Sequence, residues 1–484
     1  MTLSRVAQGS VPPFLYICAS IKSKTIAMKE SEILAAISQR MGITQLNEMQ
    51  IAMSKKCASH KQVILLSPTG SGKTLAFVIP LLKTIDEALH DLQAIIIAPS
   101  RELVIQIQNC IHDISAARIR SVACYGGHDF ALEARALEVT PQIIVSTPGR
   151  LLDHMNRRSI NISLARTLVL DEFDKALELG FHDEMKRIIG HLKHINRRIL
   201  TSATNADSLP DFVAMDNPVT VNFLYQNEQL KSRISVTHVQ SDEKDKLATL
   251  LKLLYTIIDD NLQKTIIFVN YRDAVQRIAQ FLRDHHLPVG FYHGALEQFE
   301  RETALTMFTN ESQPILVSTD LAARGLDIPE VTNIIHYHLP QKEDIYTHRN
   351  GRSARVDAEG NVFVITSPQE QLPEFIKADN ALSTSQLTQE SATTFKPKFA
   401  TLRFAAGKKE KISRADILGF LIANAGLTSQ EIGKITVADH YALVAVTVHK
   451  AKSALSAIAT AKIKGKRVKT SLLSLFPAIS DTGK

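Results

Sequence analysis

Residues 67–74 have the composition of a phosphate-binding turn. The segment follows the apolar run 63–66 and precedes the apolar run 75–80, so it connects a strand to the start of a helix. Glycines let the backbone curl until several N–H groups point into one cavity, at the positive end of the helix macrodipole. Lys73 adds a charge for the outer phosphates of a nucleotide, and the Thr74 hydroxyl is placed to bind Mg²⁺. The residues of this turn are Ser67, Pro68, Thr69, Gly70, Ser71, Gly72, Lys73 and Thr74, and the general pattern has glycine where Ser67 stands.

A Gly-Lys-Thr turn alone also fits an ordinary strand-to-helix connection, but an acidic cluster downstream supplies a partner for it. Asp171, Glu172 and Asp174 follow the apolar run 167–170. A carboxylate at the carboxyl end of a central strand, facing such a turn, is where an aspartate holds Mg²⁺, and Asp171 is the candidate. Glu172 is placed to polarise a water for in-line attack on the γ-phosphate of ATP. Acidic clusters usually mark loops, but this position favours nucleotide hydrolysis.

Two series of apolar runs, separated by helical patterns, predict two doubly wound α/β domains. Near-continuous apolar strands alternating with helices are typical of a parallel sheet covered on both faces. We expect the first domain over residues 28–221 and the second, which has no phosphate-binding turn of its own, over 222–377. The predicted strands lie at 63–66, 94–97, 142–145, 167–170 and 198–200, and then at 234–237, 265–269, 288–292, 315–318, 333–336 and 361–364.

The remaining segments differ in composition from these two domains. Residues 1–27 show little periodicity and directly precede Met28 and a helical pattern, so we expect an arm that is disordered or not native, with a signal peptide as the weaker alternative. Residues 378–398, rich in Ser, Thr, Gln and Ala, predict a flexible linker. Residues 476–484 form a tail.

Residues 399–475 predict a small α+β domain with the element order βαββαβ. This ferredoxin-like order is used by RNA-recognition modules. Ser413 and Asp416 have the spacing of a capping box at the start of its first helix. Residues 401–484 contain 14 Lys/Arg and 5 Asp/Glu, a net charge of +9, whereas the whole chain carries +7. The basic excess therefore lies in this unit and predicts binding to a polyanion, with a merely solubilising surface as the alternative.

Cysteine spacing and hydropathy exclude several other classes. The four cysteines show no Cys-x-x-Cys spacing, so neither a zinc site nor a disulfide framework is indicated, and a reduced, cytoplasmic setting fits best. No apolar run approaches the ~18 residues that span a membrane, so we expect no membrane partner. The sequence carries no signal for an oligomeric state.

Over residues 30–375 the ordered motifs resemble those of DEAD-box ATP-dependent RNA helicases, with Asp-Glu-Phe-Asp in place of Asp-Glu-Ala-Asp. The resemblance implies two tandem RecA-like doubly wound parallel-sheet domains, followed here by the small RRM-like domain. It also implies an enzyme that hydrolyses ATP with Mg²⁺ to remodel or locally unwind short RNA duplexes.

The resemblance further implies roles for individual residues. Gln50 would read the adenine, although Leu46-Asn47 replaces the usual Pro-Thr before it, and Gly325 and Asp327 would complete the ATP site. Arg352 and Arg355 would reach across as arginine fingers, although their motif departs from the commonest form at Asn350, Ser353 and Ala354. Asp174, Ser202 and Thr204 would couple ATP chemistry to strand separation. The implied RNA contacts are Pro99, Arg101, Gly126, Gly127, Thr147, Gly149 and Arg150 in the first domain, and Gln298, Arg301 and Thr319 in the second.

The C-terminal unit resembles the RNA-binding domain of DbpA-type helicases, which implies recognition of a hairpin in large-subunit ribosomal RNA and a role in ribosome assembly. Its phosphate contacts would come from Lys462, Lys464, Lys466, Arg467 and Lys469. The base-stacking aromatics of ordinary RNA-recognition strands are missing, so a basic surface that only tethers RNA stays open as an alternative. For the whole chain, the alternatives are a DNA helicase or translocase and an ATP-gated RNA clamp or scaffold with little unwinding.

Overall fold

The computed structural model describes residues 27–68, 70–205, 209–224, 233–258, 263–323, 331–353, 360–388 and 395–473. Residues 1–26 of the predicted arm, and the predicted tail, lie outside the described residues. The same holds for four predicted site residues, which are Thr69, Gly325, Asp327 and Arg355.

The first domain is built on a seven-stranded parallel sheet with the order β3-β4-β2-β5-β6-β1-β7. Alternate side chains of its strands enter two cores, so that Val63 and Leu65 pack on one face and Ile64 and Leu66 on the other. Both faces are therefore covered, as the continuous apolar runs predict. The strands are β1 (Gln62–Leu66), β2 (Ala94–Ile97), β3 (Ser121–Cys124), β4 (Ile143–Ser146), β5 (Thr167–Leu170), β6 (Arg197–Ser202) and β7 (Val219–Asn222).

Within the described residues, eight α-helices flank this sheet, and their ends follow local chemistry. The first helix ends at Gly42, whose φ of 71° is the left-handed conformation that favours glycine, and the Gly42 N–H donates to the Ser38 carbonyl. Asn47 caps the second helix, since its side chain accepts from the Gln50 N–H at 2.9 Å. The helices are α1 (Glu30–Met41), α2 (Glu48–Ser59), α3 (Lys73–Leu82), α4 (Arg101–Ser115), α5 (Phe130–Leu137), α6 (Pro148–Asn156), α7 (Phe173–Glu178) and α8 (His182–Gly190).

The second domain repeats this architecture with the strand order β10-β11-β9-β12-β13-β8-β14. Every neighbouring pair is parallel. Its strands are β8 (Ile234–Gln240), β9 (Thr265–Phe268), β10 (Val289–Tyr292), β11 (Ile315–Ser318), β12 (Asn333–His336), β13 (Gly360–Thr366) and β14 (Asn380–Ser383). Its helices are α9 (Leu247–Ile257), α10 (Arg272–Asp284), α11 (Gln298–Thr309) and α12 (Glu343–Asn350).

The prediction of a flexible linker over 378–398 is wrong for residues 380–388. Residues Asn380–Ser383 form β14, which pairs with β8 at the edge of the second sheet. Leu387 is 3% exposed and packs in the core of the second domain. An edge strand buries little side-chain surface, so the polar composition that resembles a linker also suits an edge.

The third domain is an antiparallel four-stranded sheet with the order β16-β17-β15-β20, covered by two helices. Its elements are β15 (Phe399–Phe404), α13 (Arg414–Ala425), β16 (Ile432–Val437), β17 (Ala442–Thr447), α14 (Val448–Ile458), β18 (Lys462–Ile463), β19 (Lys466–Arg467) and β20 (Thr470–Leu472). The predicted capping box is present, because Ser413 Oγ accepts from the Asp416 N–H. The last strand of the predicted βαββαβ order is in fact divided between the β18–β19 hairpin and β20. Lys464 and Gly465 both have positive φ, as a two-residue hairpin turn requires.

Truncation of Leu387 tests whether residues 380–388 belong to the second domain. Leu387→Ala removes a buried side chain, so the free energy of unfolding of this domain should fall by about 2–4 kcal/mol. Urea denaturation of the full chain, followed by circular dichroism, measures the change. Leu164→Ala is the control, because Leu164 is 51% exposed. Equal midpoints for wild type and Leu387→Ala would mean that the segment behaves as a linker.

Candidate functional site

Three neighbouring strands of the first sheet bring the predicted nucleotide residues together. The strands β5, β6 and β1 are adjacent and parallel, so their carboxyl ends meet at one edge. Asp171 follows β5, Ser202 ends β6, and the phosphate-binding turn follows β1. Motifs that are about 100 residues apart in the sequence thus converge at one edge.

The phosphate-binding turn is closed around its own lysine. Lys73, which opens α3, donates from Nζ to the carbonyls of Ser67 at 2.9 Å and Pro68 at 3.2 Å. Ser67 is fully buried, and its hydroxyl lies 2.9 Å from that of Ser71. The serine at the first position is therefore accommodated within the turn. Thr74 lies half-buried in the first turn of α3.

Gly70 and Gly72 have φ of 81° and 90°, which only glycine adopts without strain. A Cβ on Gly72 would also lie 2.6 Å from Gln50 Nε2.

Side chains at the start of α2 hold the backbone of the phosphate-binding turn through two hydrogen bonds. Asn47 Nδ2 donates to the Ser71 carbonyl at 2.9 Å, and Gln50 Nε2 donates to the Gly72 carbonyl at 3.3 Å. Gln50 is 5% exposed, and its Oε1 accepts from the Asn47 N–H. The predicted adenine-reading glutamine thus lies against the turn and holds its backbone.

Thr201 organises the two acidic residues after β5. Its hydroxyl donates to Asp171 Oδ1 at 2.6 Å and accepts from the Glu172 N–H at 3.1 Å. Glu172 has φ of 47°, and its backbone turns sharply into α7. Burial raises the pKa of Glu172 to about 7, while Lys73 and Arg352 oppose that shift. Burial also raises the pKa of Asp171, and the Thr201 hydrogen bond opposes it.

Asp174 connects this edge to the end of β6. Its Oδ2 accepts from the Thr204 hydroxyl at 3.0 Å and from the Ala203 N–H at 3.2 Å. Ser202 Oγ donates to the Thr204 carbonyl at 2.8 Å. The three residues predicted to couple chemistry to strand separation therefore form one hydrogen-bonded unit.

Arg352 brings the second domain to the same site. It is 2% exposed, its Nε donates to the Ala323 carbonyl at 2.8 Å, and its charge acts on Glu172 of the first domain. The neighbouring Arg349 is fully buried and pairs with Asp320 at 2.6 Å. Asn350, one of the departures in this motif, stays within its own domain, where its Oδ1 accepts a hydrogen bond from His336 Nε2 at 2.9 Å.

One of the predicted RNA contacts of the first domain, Arg150, pairs with a buried carboxylate, Glu133 on α5, which the sequence interpretation missed. Its Oε1 accepts from the Tyr125 N–H at 3.1 Å, and its Oε2 lies 2.8 Å from His154 Nε2 and 3.3 Å from Arg150 Nε. Arg150 also donates to the Tyr125 carbonyl at 3.1 Å and to the His128 carbonyl at 2.5 Å. Arg150 therefore closes the glycine loop 126–127 as part of this network.

The glycine loop also packs on Arg101. A Cβ on Gly127, which has φ of 83°, would overlap the Arg101 guanidinium. Pro99 and Thr147 are buried, whereas Gly149 is exposed. Of the predicted RNA residues of the first domain, the structure therefore brings Arg101 and Arg150 to the glycine loop.

Cys124, Glu133 and His154 have ligand-type atoms within 4.8 Å of one another, and all three residues are buried. The Glu133 oxygens, however, already face the Arg150 cation and the Tyr125 and His154 donors. Burial raises the pKa of the Cys124 thiol to about 12, so the thiol is protonated. This arrangement fits a hydrogen-bonded network better than a metal site.

The second domain places Gln298 and Arg301 on α11, one turn apart. Arg301 donates to Gln298 Oε1 at 2.8 Å, and it forms an ion pair with Glu102 of the first domain at 3.0 Å. Arg301, one of the predicted RNA residues of the second domain, therefore contacts the first domain directly. Thr319 lies half-buried just after β11.

The five basic residues of the third domain are exposed on or next to the β18–β19 hairpin. Lys464 differs from the others, since its Nζ lies 2.7 Å from Asp416 and donates to the Lys411 carbonyl. This contact holds the pKa of Asp416 at about 2 and fixes the hairpin to the start of α13.

Thr201 and Glu133 are the main site residues that sequence reasoning missed. Thr201 is a polar residue inside the buried strand β6, and Glu133 lies four residues before the buried Leu137 on α5. A polar side chain in an apolar periodic position was the available signal.

None of the helices in the described ranges is long and apolar enough to cross a membrane.

Comparison with known families gives three matches along the chain. The models are the DEAD/DEAH box helicase over residues 47–212, the helicase conserved C-terminal domain over 245–357, and the DbpA RNA binding domain over 401–472. They fall on the three domains of the structure.

Individual proteins agree with these matches. The chain is 35% identical over 344 residues to the DEAD-box ATP-dependent RNA helicase CshA of Bacillus subtilis (strain 168), covering 70% of this chain and 69% of the relative. It is 30% identical over 439 residues to the ATP-dependent RNA helicase DbpA of Escherichia coli (strain K12), covering 90% and 95%. Among solved structures, S. cerevisiae Dbp5 bound to RNA and ADP BeF3 is similar with a TM-score of 0.62 and 25% identity, covering 73% of this chain and 94% of that one. The chain therefore belongs to the family of DEAD-box ATP-dependent RNA helicases, which are RNA-dependent ATPases.

Proposed function

We propose that this helicase remodels short duplexes in structured RNA during ribosomal RNA maturation, and that large-subunit ribosomal RNA is its target. The observation that carries the proposal is the exposed basic hairpin on a domain that matches the DbpA RNA-binding model. A relative named DbpA aligns over 90% of the chain, including this domain. Free, buried thiols at Cys57, Cys110 and Cys124 suit a reducing, cytoplasmic compartment.

The ATP site of this proposal uses residues of both RecA-like domains. The backbone of the turn and Lys73 would receive the phosphates in place of the Ser67 and Pro68 carbonyls that Lys73 now contacts. Mg²⁺ fits the oxygen donors Asp171 and Thr74 at this edge, because hard cations prefer carboxylate and hydroxyl oxygens. When bound, Mg²⁺ would neutralise charge on the phosphates.

Glu172 and Arg352 would have different roles in ATP hydrolysis. Glu172 in its carboxylate form would accept a proton from the attacking water, which fits its position beside Asp171 and Lys73. Arg352 would stabilise charge on the transferring phosphoryl group from the second domain, as arginine fingers do. A proton acceptor in the first domain and an arginine finger in the second favour hydrolysis over a clamp that only holds RNA.

Substitution of Glu172 tests its role as the water-activating base. Glu172→Gln keeps the shape but removes the proton acceptor, so hydrolysis should fall by about 10²–10⁴-fold. ATP and RNA binding should persist. Steady-state ATPase and equilibrium binding measure the two effects, with Asp183→Asn as an exposed acidic control. Unchanged turnover would remove Glu172 from this role.

Glu133 would act in RNA binding by holding Arg150 and the glycine loop in place. In Glu133→Gln, an amide N–H₂ must face His154 or Arg150, so hydrogen bonds to a charged group are lost. The RNA concentration for half-maximal ATPase should rise about tenfold, with the KM for ATP little changed.

Asp153→Asn is the matched control for Glu133→Gln, because Asp153 also faces Arg150, at 3.9 Å, but is more exposed. An unchanged RNA requirement in a folded Glu133→Gln protein would show that the network is not needed for the RNA surface.

The basic hairpin provides the test of the target. We expect ribosomal RNA to stimulate the ATPase more than generic RNA does. The combined Lys462→Ala, Lys466→Ala and Arg467→Ala variant should lose that preference. Its slope of log affinity against log salt should fall by about 2, because three phosphate contacts are removed.

A variant with Arg414, Lys450 and Lys452 replaced by Ala removes the same charge from other exposed positions of the third domain. Equal losses in the two triple variants would show that the domain is a general tether. Equal stimulation of the wild type by any RNA would contradict the ribosomal target.

A further inference from the structure

One face of the third domain's sheet is buried outside that domain's own core. Thr401, Leu443 and Ala445 are each fully buried, and β15 and β17 place them side by side. Their strand neighbours Leu402 and Val444 form the core beneath α13 and α14. Since successive side chains of a strand point to opposite faces, another part of the chain must cover the first three.

The second domain covers this face through α11 and the turn after it. Asn310 Nδ2 donates to Thr401 Oγ1 at 3.0 Å, and Ser312 Oγ lies 2.8 Å from the same atom. The Arg403 guanidinium lies over the Phe299 ring, 4.6 Å from its centroid. Tyr441 meets the same ring edge-on at 4.9 Å.

The Tyr441 contact continues into the predicted RNA residues of α11. Its hydroxyl donates to one oxygen of Glu302, and the other Glu302 oxygen accepts from Gln298 Nε2 at 2.8 Å. Gln298 Oε1 in turn accepts from Arg301 at 2.8 Å, and Arg301 pairs with Glu102 of the first domain. These five side chains, from Tyr441 to Glu102, form an interdomain chain through all three domains.

The hydrogen bonds of this interdomain chain have a fixed direction from donor to acceptor. A carboxylate can only accept hydrogen bonds and a guanidinium can only donate them. The Gln298 amide must therefore point its nitrogen at Glu302 and its oxygen at Arg301. The Arg301 and Glu102 side chains are only 7% and 11% exposed, so water can form few hydrogen bonds with them in place of this ion pair.

We propose that Glu302 is a positioning residue through which the docked third domain orders the Gln298–Arg301 pair at the cleft between the RecA-like domains. The charges around Tyr125 of the first domain agree with this geometry. Burial raises its pKa to about 12, and the carboxylates of Glu302 and of Asp439 in the third domain add to the shift. Carboxylates of the second and third domains therefore act electrostatically on Tyr125, which precedes the glycine loop of the first domain.

The third domain would then do more than bring the enzyme to its RNA. Docking would hold Gln298 and Arg301, the pair predicted to bind RNA, in the orientation in which Arg301 also pairs with Glu102 of the first domain. The consequence is a lower RNA requirement for ATP hydrolysis. This effect would apply to any RNA that enters the cleft, and not only to the proposed ribosomal target.

The test is a double-mutant cycle in the full chain, read out by ATPase stimulation with total ribosomal RNA. Tyr441→Phe removes only the hydroxyl and keeps the ring on Phe299. It should raise the RNA concentration for half-maximal activity about three- to tenfold, with the RNA-free ATPase and thermal stability unchanged. Glu302→Ala should have a similar effect, and the double variant should be no worse than Glu302→Ala alone.

Thr401→Val is the matched control, because it removes a hydroxyl from the same interface without touching Glu302. We expect its RNA requirement to change less than twofold. A wild-type RNA requirement in Tyr441→Phe, additive effects in the cycle, or an equal effect of Thr401→Val would each overturn the proposal. A loss of the preference for ribosomal RNA, without any other change, would contradict the proposed target but not the proposed role of Glu302.

Discussion

The buried pair of carboxylates after β5 is the constraint on which the site depends. Asp171 and Glu172 are 3% and 7% exposed, and ionised groups are costly to bury unless partners compensate them. Compensation comes from Lys73 after β1, Thr201 in β6 and Arg352 of the second domain. The two carboxylates can therefore stay buried only if β1 and β6 lie beside β5 and the second domain approaches the first. Lys73 Nζ donates to two backbone carbonyls, and its charge also opposes the pKa rise of both carboxyl groups.

Much of the fold could be predicted, because buried parallel strands leave long apolar runs. The strands β1, β2 and β5 are such runs. The strand β3 (Ser121–Cys124) alternates half-buried and buried residues at the edge of the sheet, and β14 has two polar residues among its four and no fully buried one, so neither gives this signal. Edge strands are bonded on one side only, and their sequences are correspondingly less constrained.

The nucleotide residues could be placed from sequence because they are short motifs at strand ends. Their supporting contacts could not. Glu133 reaches Tyr125 and Arg150 only because the tertiary fold brings α5 close to the end of β3 and to α6, and Glu302 meets Tyr441 only because two domains dock. Such pairs depend on tertiary contact between positions with no local spacing rule. Several arginines predicted to hold RNA, including Arg150 and Arg301, are also internal braces, which a motif alone does not reveal.

The covered sheet face of the third domain affects how that domain behaves on its own. Separated from α11, it would present Leu443 and Ala445 to water beside Phe399, and α11 would lose the cover on Phe299. Contiguous exposed apolar surface promotes self-association. The excised domain would therefore be a poor stand-alone reagent, and its solubility would improve if Leu443 were exchanged for a polar strand former such as Thr. In the intact enzyme, the same exchange would weaken the packing of the third domain against the second. Leu443 therefore lowers the solubility of the isolated domain but stabilises its docking in the full chain.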